Sequence, residues 1–534
     1  MALKKQLSSL NKILSMPLFK NIKLVIFSIF ILGFLIRFLY FPGNVQFAYD
    51  QARDAFISLG ILQGDFKLVG PPSTFNSGIN HDPLFYYIAG PIYEISQKDP
   101  AGLSVFLRIY NLLGILLVFY LGKILFNKTT GIIAAFFYAV SFEQSQYAIF
   151  MSHPTMAVIT ILLFYLGFVL AFVKNEQSSF SSKNNPWGLI ISAFGLGLSI
   201  HFHVGLIFLT PLFLIFPAIL RFKPSNRFFK IIPLVFLTLG LTLSTFILAE
   251  IRYNFPLITG LLSLKSQTYS EQINILPRIG NTVFIVERFV ADNIFNFGSS
   301  FLVLGLILLL VVFYIILKSK EYKKSGIFLL IWLIWGLLIY LYIPKDTYYY
   351  SIGTSVSIIL AVAFILNLIF KKSRNLGIFI LIMVFISNFN LIKTYNPLGP
   401  INAITSQDGM LLEQEKQIID LTYQKAEGQP FAVNALTVPY NINTTWGYLY
   451  SWYGQDKYGY LPIWGGNHPN GYTSALIVNN SRSTLPEKRF LIVESTQGLL
   501  KHTIEDFLRE EGYFTDVIEE IGIGKITLYI QKPK

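Results

Sequence analysis

Residues 22–41, Ile22-Lys23-Leu24-Val25-Ile26-Phe27-Ser28-Ile29-Phe30-Ile31-Leu32-Gly33-Phe34-Leu35-Ile36-Arg37-Phe38-Leu39-Tyr40-Phe41, form an apolar run with charges only at Lys23 and Arg37. A helix needs about 20 such residues to cross ~30 Å of hydrocarbon. The run is too long for the core of a cleaved leader. Arg37-Phe38-Leu39-Tyr40 also stands where small residues should precede a cleavage site. It reads as an uncleaved membrane anchor. Working outward, similar runs recur at 103–125, 131–149, 155–173, 187–202, 204–220, 231–250, 299–317, 326–343, 350–370 and 376–392. Together they predict a polytopic α-helical membrane protein with about eleven transmembrane helices.

Composition agrees. Of 534 residues, 53% are hydrophobic, 16% aromatic and only 13% charged, against ~25% charged in soluble chains. Mean hydropathy is +0.54. These values exclude a disordered chain, a coiled coil and an ordinary soluble enzyme. With no cysteine there is no disulfide framework, thiolate zinc site or cysteine nucleophile. The net charge of +13 would point to nucleic acid in a soluble protein. Here it follows the loops, and no nucleic-acid partner is expected.

With the N-terminus in the cytoplasm, alternating spans put 1–23, 123–130, 174–186, 221–230, 318–325 and 371–375 inside, and every one carries lysine or arginine. That is the positive-inside pattern. Of the acids before residue 397, only Glu176 and Glu321 fall inside; the others gather on the outer side or at its boundary. Acids contribute little to orientation, so their placement asks for another reason, and chemistry on the outer face is one.

An odd number of spans places the tail outside. Residues 397–534 carry 15 acids and 11 bases and read as an extracytoplasmic α/β domain. Glu413 to Ala426 and Thr503 to Glu511 are predicted helices. Arg489 to Val493 and Ile526 to Ile530 are predicted strands. The stretch Trp446, Tyr448, Tyr450, Trp452, Tyr453, Tyr458, Tyr460 and Trp464 reads either as a carbohydrate-stacking face or as a loop-rich core edge. The division is 1–396 for the membrane domain and 397–534 for the soluble one.

The connection 42–101 is long for a membrane protein, and such loops are usually functional. It contains Tyr49-Asp50-Gln51-Ala52-Arg53-Asp54 and then Gly78-Ile79-Asn80-His81-Asp82-Pro83. Asp50 and Asp54 share a helix face, and Phe56 and Leu59 are expected to rest that helix on the lipid surface. Asp82 before Pro83 also reads as an N-cap, as does Asp50. Outside the cytoplasm a sugar donor is most plausibly carried on a membrane lipid phosphate. Transfer then needs a base for the acceptor proton and cations for the departing phosphate. A carboxylate at the membrane surface can be the base. Arg53, Arg252, Arg278, Arg288 and Lys345 can supply positive charge, although each also reads as an interfacial anchor.

This arrangement resembles the GT-C glycosyltransferases, and within them the bacterial members of the broad group holding the protein O-mannosyltransferases and the lipid A aminoarabinose transferases. The residues that carry the resemblance are Tyr49 to Asp54, Ile61-Leu62-Gln63-Gly64-Asp65, Gly70-Pro71 and Asp82-Pro83-Leu84-Phe85-Tyr86-Tyr87. It spans about 22–395, with its specific motifs in 49–88. It implies that Asp50 is the catalytic base or the acid that positions the acceptor. Many relatives have glycine where this chain has Asp82, which puts a catalytic role for Asp82 in doubt. Some carry a second aspartate before the fourth span; here Glu143 or His153 can substitute, or neither. Pro344-Lys345-Asp346-Thr347-Tyr348-Tyr349-Tyr350 resembles the family's tyrosine-rich start of a late span, with Lys345 the foremost donor-phosphate contact there and Tyr348 beside it.

His81, His153, His201 and His203 fall near the outer face, but His201 and His203 are two apart and do not share a helix face. No metal and no cofactor are expected. The expected activity is a hexosyl- or pentosyltransferase reaction from a polyprenyl-phosphate sugar to a cell-envelope glycan, lipid or protein, with inversion, at the outer face of the cytoplasmic membrane. The alternatives are a transporter or flippase of a lipid-linked glycan, and an inert scaffold that displays the tail. Clear repeats and buried mid-membrane charges would favour transport; no repeat is seen, and the charges gather at one face.

Overall fold

The computed structural model describes residues 21–534 apart from 74–75, 174–184, 257, 261–274, 299–301, 342–346, 403, 406, 408, 467–469, 474 and 480. The membrane part runs α1 (Ile22–Phe38), α2 (Tyr49–Leu62), β1 (Pro72–Ser73), β2 (Asn76–Asn80), α3 (Leu84–Ile95), α4 (Pro100–Leu125), α5 (Lys128–Val140), α6 (Phe142–Ile149), α7 (Pro154–Phe172), α8 (Gly188–Phe202), α9 (Leu212–Ile219), α10 (Asn226–Thr242), α11 (Ser244–Arg252), α12 (Ile275–Asn293), α13 (Leu302–Lys318), α14 (Lys323–Leu337), α15 (Ser355–Lys372) and α16 (Arg374–Tyr395).

Among the described residues, five helical stretches are long and apolar enough to cross a membrane: Pro100–Leu125, Pro154–Phe172, Lys323–Leu341, Ser355–Lys372 and Arg374–Leu398. A sixth arises if α10 and α11, bent by 62°, count as one span. The other predicted runs fall on shorter or broken helices. The run 131–149 divides because Ser141, at ψ 130°, leaves the helix and caps α6. Its Oγ accepts from Gln144 N at 3.1 Å and donates to Asn293 Oδ1 at 2.7 Å. The run 231–250 bends where His201 Nε2 sits on the Thr242 carbonyl oxygen; a side chain inserted into the helical ladder is a recognised cause of kinks.

Helix starts follow from sequence. Asp99 Oδ1 accepts from Ala101 N at 2.8 Å ahead of Pro100, the pairing of an acidic cap with proline at the first helical position. Close packing of α7 on α8 depends on small residues. A side chain at Gly167 would lie 2.4 Å from the Gly188 carbonyl oxygen, and one at Gly195 would lie 2.5 Å from Phe164 N. One turn beyond the Gly195 contact, Thr160 and Ser199 share a 2.7 Å hydrogen bond. Such approaches replace the hydrophobic effect as the adhesive between helices in lipid.

Two buried arginines join α1, α4 and α5 through neutral oxygens. Arg37 donates to Asn111 Oδ1 at 2.8 Å and to the Gly33 and Ala139 carbonyls, each at 3.1 Å. Arg108 donates to Ser104 Oγ at 3.1 Å, to Asn44 Oδ1 at 2.8 Å and to the Arg37 carbonyl.

The tail continues with α17 (Leu412–Ala426), β3 (Phe431–Leu436), α18 (Thr444–Leu449), α19 (Gln455–Tyr458), β4 (Ile463–Gly465), β5 (Ile477–Asn479), β6 (Lys488–Val493), α20 (Lys501–Phe514), β7 (Thr515–Ile523) and β8 (Ile526–Pro533). The strands form one six-stranded sheet in the order β5-β4-β3-β6-β8-β7. β5, β4, β3 and β6 are parallel; β8 and β7 are antiparallel additions. β3 is buried at every residue, as a central parallel strand should be. Trp446, Tyr448, Tyr450 and Trp464 are buried, so that half of the aromatic stretch is core. Trp452, Tyr453, Tyr458 and Tyr460 are only half-buried.

This domain docks on the chain just ahead of α2. Phe47 N donates to the Met410 carbonyl at 3.0 Å, and Leu412 N to the Val45 carbonyl at 2.8 Å. Gln46 Nε2 reaches Thr405 Oγ1 at 2.9 Å and the Gln407 carbonyl at 2.6 Å. Phe56, expected at the lipid surface, packs instead on Tyr448 and Tyr472 of the domain.

Candidate active site

The first turn of α2 is fixed from both sides. Ala48 N donates to Gln51 Oε1 at 3.1 Å, while Gln51 Nε2 donates to the Met151 carbonyl at 3.0 Å. Asp50 follows Tyr49, the first helical residue, so it does not cap the helix. Its side chain is 49% exposed, and its Oδ1 accepts from Arg53 Nη1 at 2.8 Å. One turn on, Arg53 also donates to Asp54 Oδ1 from Nη2 at 2.7 Å and from Nε at 3.0 Å. One guanidinium thus clamps two carboxylates, a strong charge-assisted arrangement. Asp54 is 3% exposed and lies beside buried Tyr86. Burial pushes its carboxyl up to about 6, although Arg53 pulls it down. Asp50 alone of the pair opens to solvent.

Three histidines lie next to this clamp. The His81 and His153 rings are 4.3 Å apart. His203, just past the end of α8, packs 5.7 Å from Tyr349 and 5.8 Å from Tyr350. Burial lowers all three imidazoles: His81 to about 4, His203 to about 3, and His153 well below its ordinary value. His81 and His203 each add repulsion at His153, and Arg53 adds more at His81. Among the described residues, both His203 ring nitrogens are buried without a hydrogen-bond partner. An unpaired buried polar group costs about 1–3 kcal/mol. Among the described residues no three histidine or carboxylate side chains converge as metal ligands.

Asp82 has a different place. Its Oδ1 accepts from Leu84 N at 3.0 Å, which caps α3, and its Oδ2 accepts from Thr245 Oγ1 at 2.6 Å. His201 Nδ1 lies 2.5 Å from Oδ1. Asp82 therefore joins the loop to the break between α10 and α11, and its oxygens are spent on structure.

Glu143, Arg288 and Tyr348 form a second, deeper cluster. Glu143 is fully buried and accepts from Asn293 Nδ2 at 2.6 Å and Ser355 Oγ at 2.9 Å. Arg288 lies 4.3 Å over the Tyr348 ring, whose hydroxyl donates to Asp292. Tyr147 OH donates to the Tyr348 carbonyl at 2.8 Å. The turn Tyr348–Ser351 thus connects the clusters, with Tyr348 in the deep one and Tyr349 and Tyr350 against His203. Lys345 lies outside the described residues. Arg252 is exposed on α11 and lines an open groove with Phe66, Lys67, Leu68, Tyr87, Leu248 and Ile251. The groove shares Leu68 with a smaller pocket bounded by His81, Asp82, Phe246 and Glu250.

The sequence places Asp50, Arg53, Asp54 and His81 in one loop, and His153 only on the same outer side. Sequence reasoning missed Gln51 and Tyr86, which sit inside the same motifs. For His203 the sequence offers only a place near the outer face. No local pattern ties His203 to Tyr350, and only the fold brings them together.

The fold is GT-C-like. Residues 80–248 match the family model described as dolichyl-phosphate-mannose-protein mannosyltransferase. ArnT from Cupriavidus metallidurans bound to undecaprenyl phosphate superposes with a TM-score of 0.54 at 10% identity, over 94% of this chain and 97% of that one. Its apo state gives 0.54 at 11% identity, over 93% and 96%. The archaeal oligosaccharyltransferase AglB from Archaeoglobus fulgidus, in complex with an inhibitory peptide and a dolichol-phosphate, gives 0.50 at 15% identity, over 92% and 72%. At these identities the likeness is one of fold. No curated protein matches the sequence.

Proposed function

We propose that this protein transfers a sugar from a polyprenyl-phosphate donor to a cell-envelope glycan, lipid or protein at the outer face of the cytoplasmic membrane, with its N-terminus in the cytoplasm. The observation that carries the reading is the asymmetry of the Arg53 clamp. Asp54 is buried as an anchor, and Asp50 is half-exposed on a first helical turn fixed from both sides. A base needs that combination of access and rigidity. The donor class is supported by the lipid phosphates in the ArnT and AglB structures of this fold and by the groove, where apolar walls meet Lys67 and Arg252.

In the proposed step Asp50 takes the proton of an acceptor hydroxyl. The acceptor oxygen bonds to the anomeric carbon from the side opposite the phosphate, which inverts that carbon. The bond from carbon to phosphate oxygen breaks, and polyprenyl phosphate departs with the electron pair. Arg53 and Arg252 face the negative charge. Arg288 and Tyr348 act from the deeper cluster by holding the Tyr349-Tyr350 turn.

The test is sugar transfer in reconstituted vesicles offered a panel of polyprenyl-phosphate sugars, comparing wild type with Asp50→Asn. Donor-dependent transfer that collapses in the folded variant supports the reading. Lipid translocation without transfer, indifferent to Asp50, overturns it in favour of a flippase.

A further inference from the structure

His203 is a buried imidazole with neither nitrogen hydrogen-bonded among the described residues, and protein interiors rarely leave such a group unpaired without a use. Its neighbours are chemically one-sided. Tyr349 and Tyr350 cover the ring. The His81 and His153 rings lie tilted against each other within electrostatic reach; Arg53 acts on both, and Asp50 on His81. The nearest acids are already engaged: Asp50 and Asp54 by Arg53, Asp82 by Leu84, Thr245 and His201, and Glu250, which lines the pocket at His81, by Ile258 N. Three imidazoles gathered where the neighbouring described carboxylates are already bonded form a cluster that favours an anion.

We propose that His203, flanked by His81 and His153, seats the phosphate of the lipid-linked donor, taking up a proton as that anion binds and passing it to the departing phosphate oxygen. The proposal rests on the donor class inferred above. Burial by itself keeps the imidazoles neutral, because desolvation penalises the charged form. A phosphodiester anion reverses that balance, since an opposite charge at close range favours the imidazolium. When the bond from carbon to phosphate oxygen breaks, the imidazolium proton moves to the released phosphate. Polyprenyl phosphate then leaves with one charge fewer, and His203 returns to neutral.

The experiment measures protons taken up on binding. The full-length protein in nanodiscs is titrated calorimetrically at pH 7.5 with farnesyl methyl phosphate, a phosphodiester that does not itself titrate near neutrality. Buffers of different ionisation enthalpy report the proton count. Wild type is expected to take up about one proton per ligand, and affinity is expected to weaken about tenfold per pH unit around pH 7.5, by linkage. His203→Gln, checked for an intact melting transition, is expected to take up less than half as much. Binding without proton uptake in wild type overturns the proposal even if the variant fails to fold. Unchanged uptake in His203→Gln overturns it as well. In both cases the assignment of Asp50 stands. Failure of the phosphodiester to bind at all removes the donor class and this inference together, whereas an Asp50→Asn enzyme that still transfers sugar removes only the base.

Discussion

The Phe56 ring is stacked on Tyr472, with 5.2 Å between centroids and 14° between planes. Phe56 belongs to the helix that carries Asp50, and Tyr472 to the C-terminal domain. Tyr448 meets Phe56 edge-on at 5.4 Å, and its hydroxyl donates to the Lys98 carbonyl at 2.6 Å. The domain thereby braces the helix that carries Asp50. Tyr448→Ala is expected to cost about 3 kcal/mol of stability and to lower kcat at least tenfold. Tyr448→Phe removes only one hydrogen bond, worth about 1 kcal/mol, and should retain most activity. Thermal melting and transfer rates on the same samples decide the point. A destabilised Tyr448→Ala with a normal kcat would show that the brace does not serve the site.

Arg53 holds Asp50 by one bond and Asp54 by two. Lysine cannot reproduce that fork. Arg53→Lys is expected to lower kcat by about 10–100-fold with a smaller change in KM, because orientation of the base is lost. In Arg53→Gln the pull that opposes burial at Asp54 disappears. Its carboxyl should then rise further above about 6, and a pH titration of stability should show the transition at higher pH than in wild type. An unmoved transition would mean that Arg53 does not set the charge of Asp54.

Asp82 and Asp50 should separate cleanly in mutagenesis. Asp82→Asn keeps an oxygen for Leu84 N but weakens the contacts to Thr245 and His201. The expected result is a loss of about 1–3 kcal/mol with kcat within a few-fold of wild type. Asp50→Asn should melt normally and transfer nothing. Equal catalytic collapse in both would assign Asp82 to the reaction rather than to the scaffold.

The local features of this fold were legible because their causes are local. Asp82 before Pro83 announces a helix start, and Leu412–Ala426 and Lys501–Phe514 carry the helical spacing of their own sequence. What the sequence hides is set at long range. Residues 131–149 look like one apolar run, yet Ser141 leaves the helix to bond Asn293, more than a hundred residues later. The kink after Thr242 depends on a histidine side chain from α8. The bridge of Gln46 to Leu411 has no periodicity to betray it. The same holds for the site. Asp50, Arg53 and Asp54 lie within one turn and can be read as a unit, whereas His203 gains its meaning only from Tyr349, Tyr350 and His81.

Two buried carboxyls in the C-terminal domain make its stability depend on pH in a direction opposite to that of a salt-bridged acid. Glu494 accepts from Trp446 Nε1 at 2.9 Å, Val438 N at 2.8 Å and Gln407 Nε2 at 3.1 Å, yet burial outweighs these bonds and pushes it up to about 7. Glu415 is fully buried with neither oxygen bonded among the described residues, and burial together with Glu494 pushes it well above its ordinary value. In each case the native state keeps a proton that the unfolded chain has already lost. Stability is therefore greatest below pH ~4.5 and falls as pH rises through the folded-state values. For Glu494 the loss amounts to about 3 kcal/mol by pH 7, at about 1.4 kcal/mol per unit; for Glu415 it continues to higher pH. Glu415→Gln removes that second loss without changing volume. Its Tm should match wild type near pH 5, exceed it at pH 8, and fall less steeply between the two. Parallel Tm curves for the two proteins would show that Glu415 ionises freely in the folded domain.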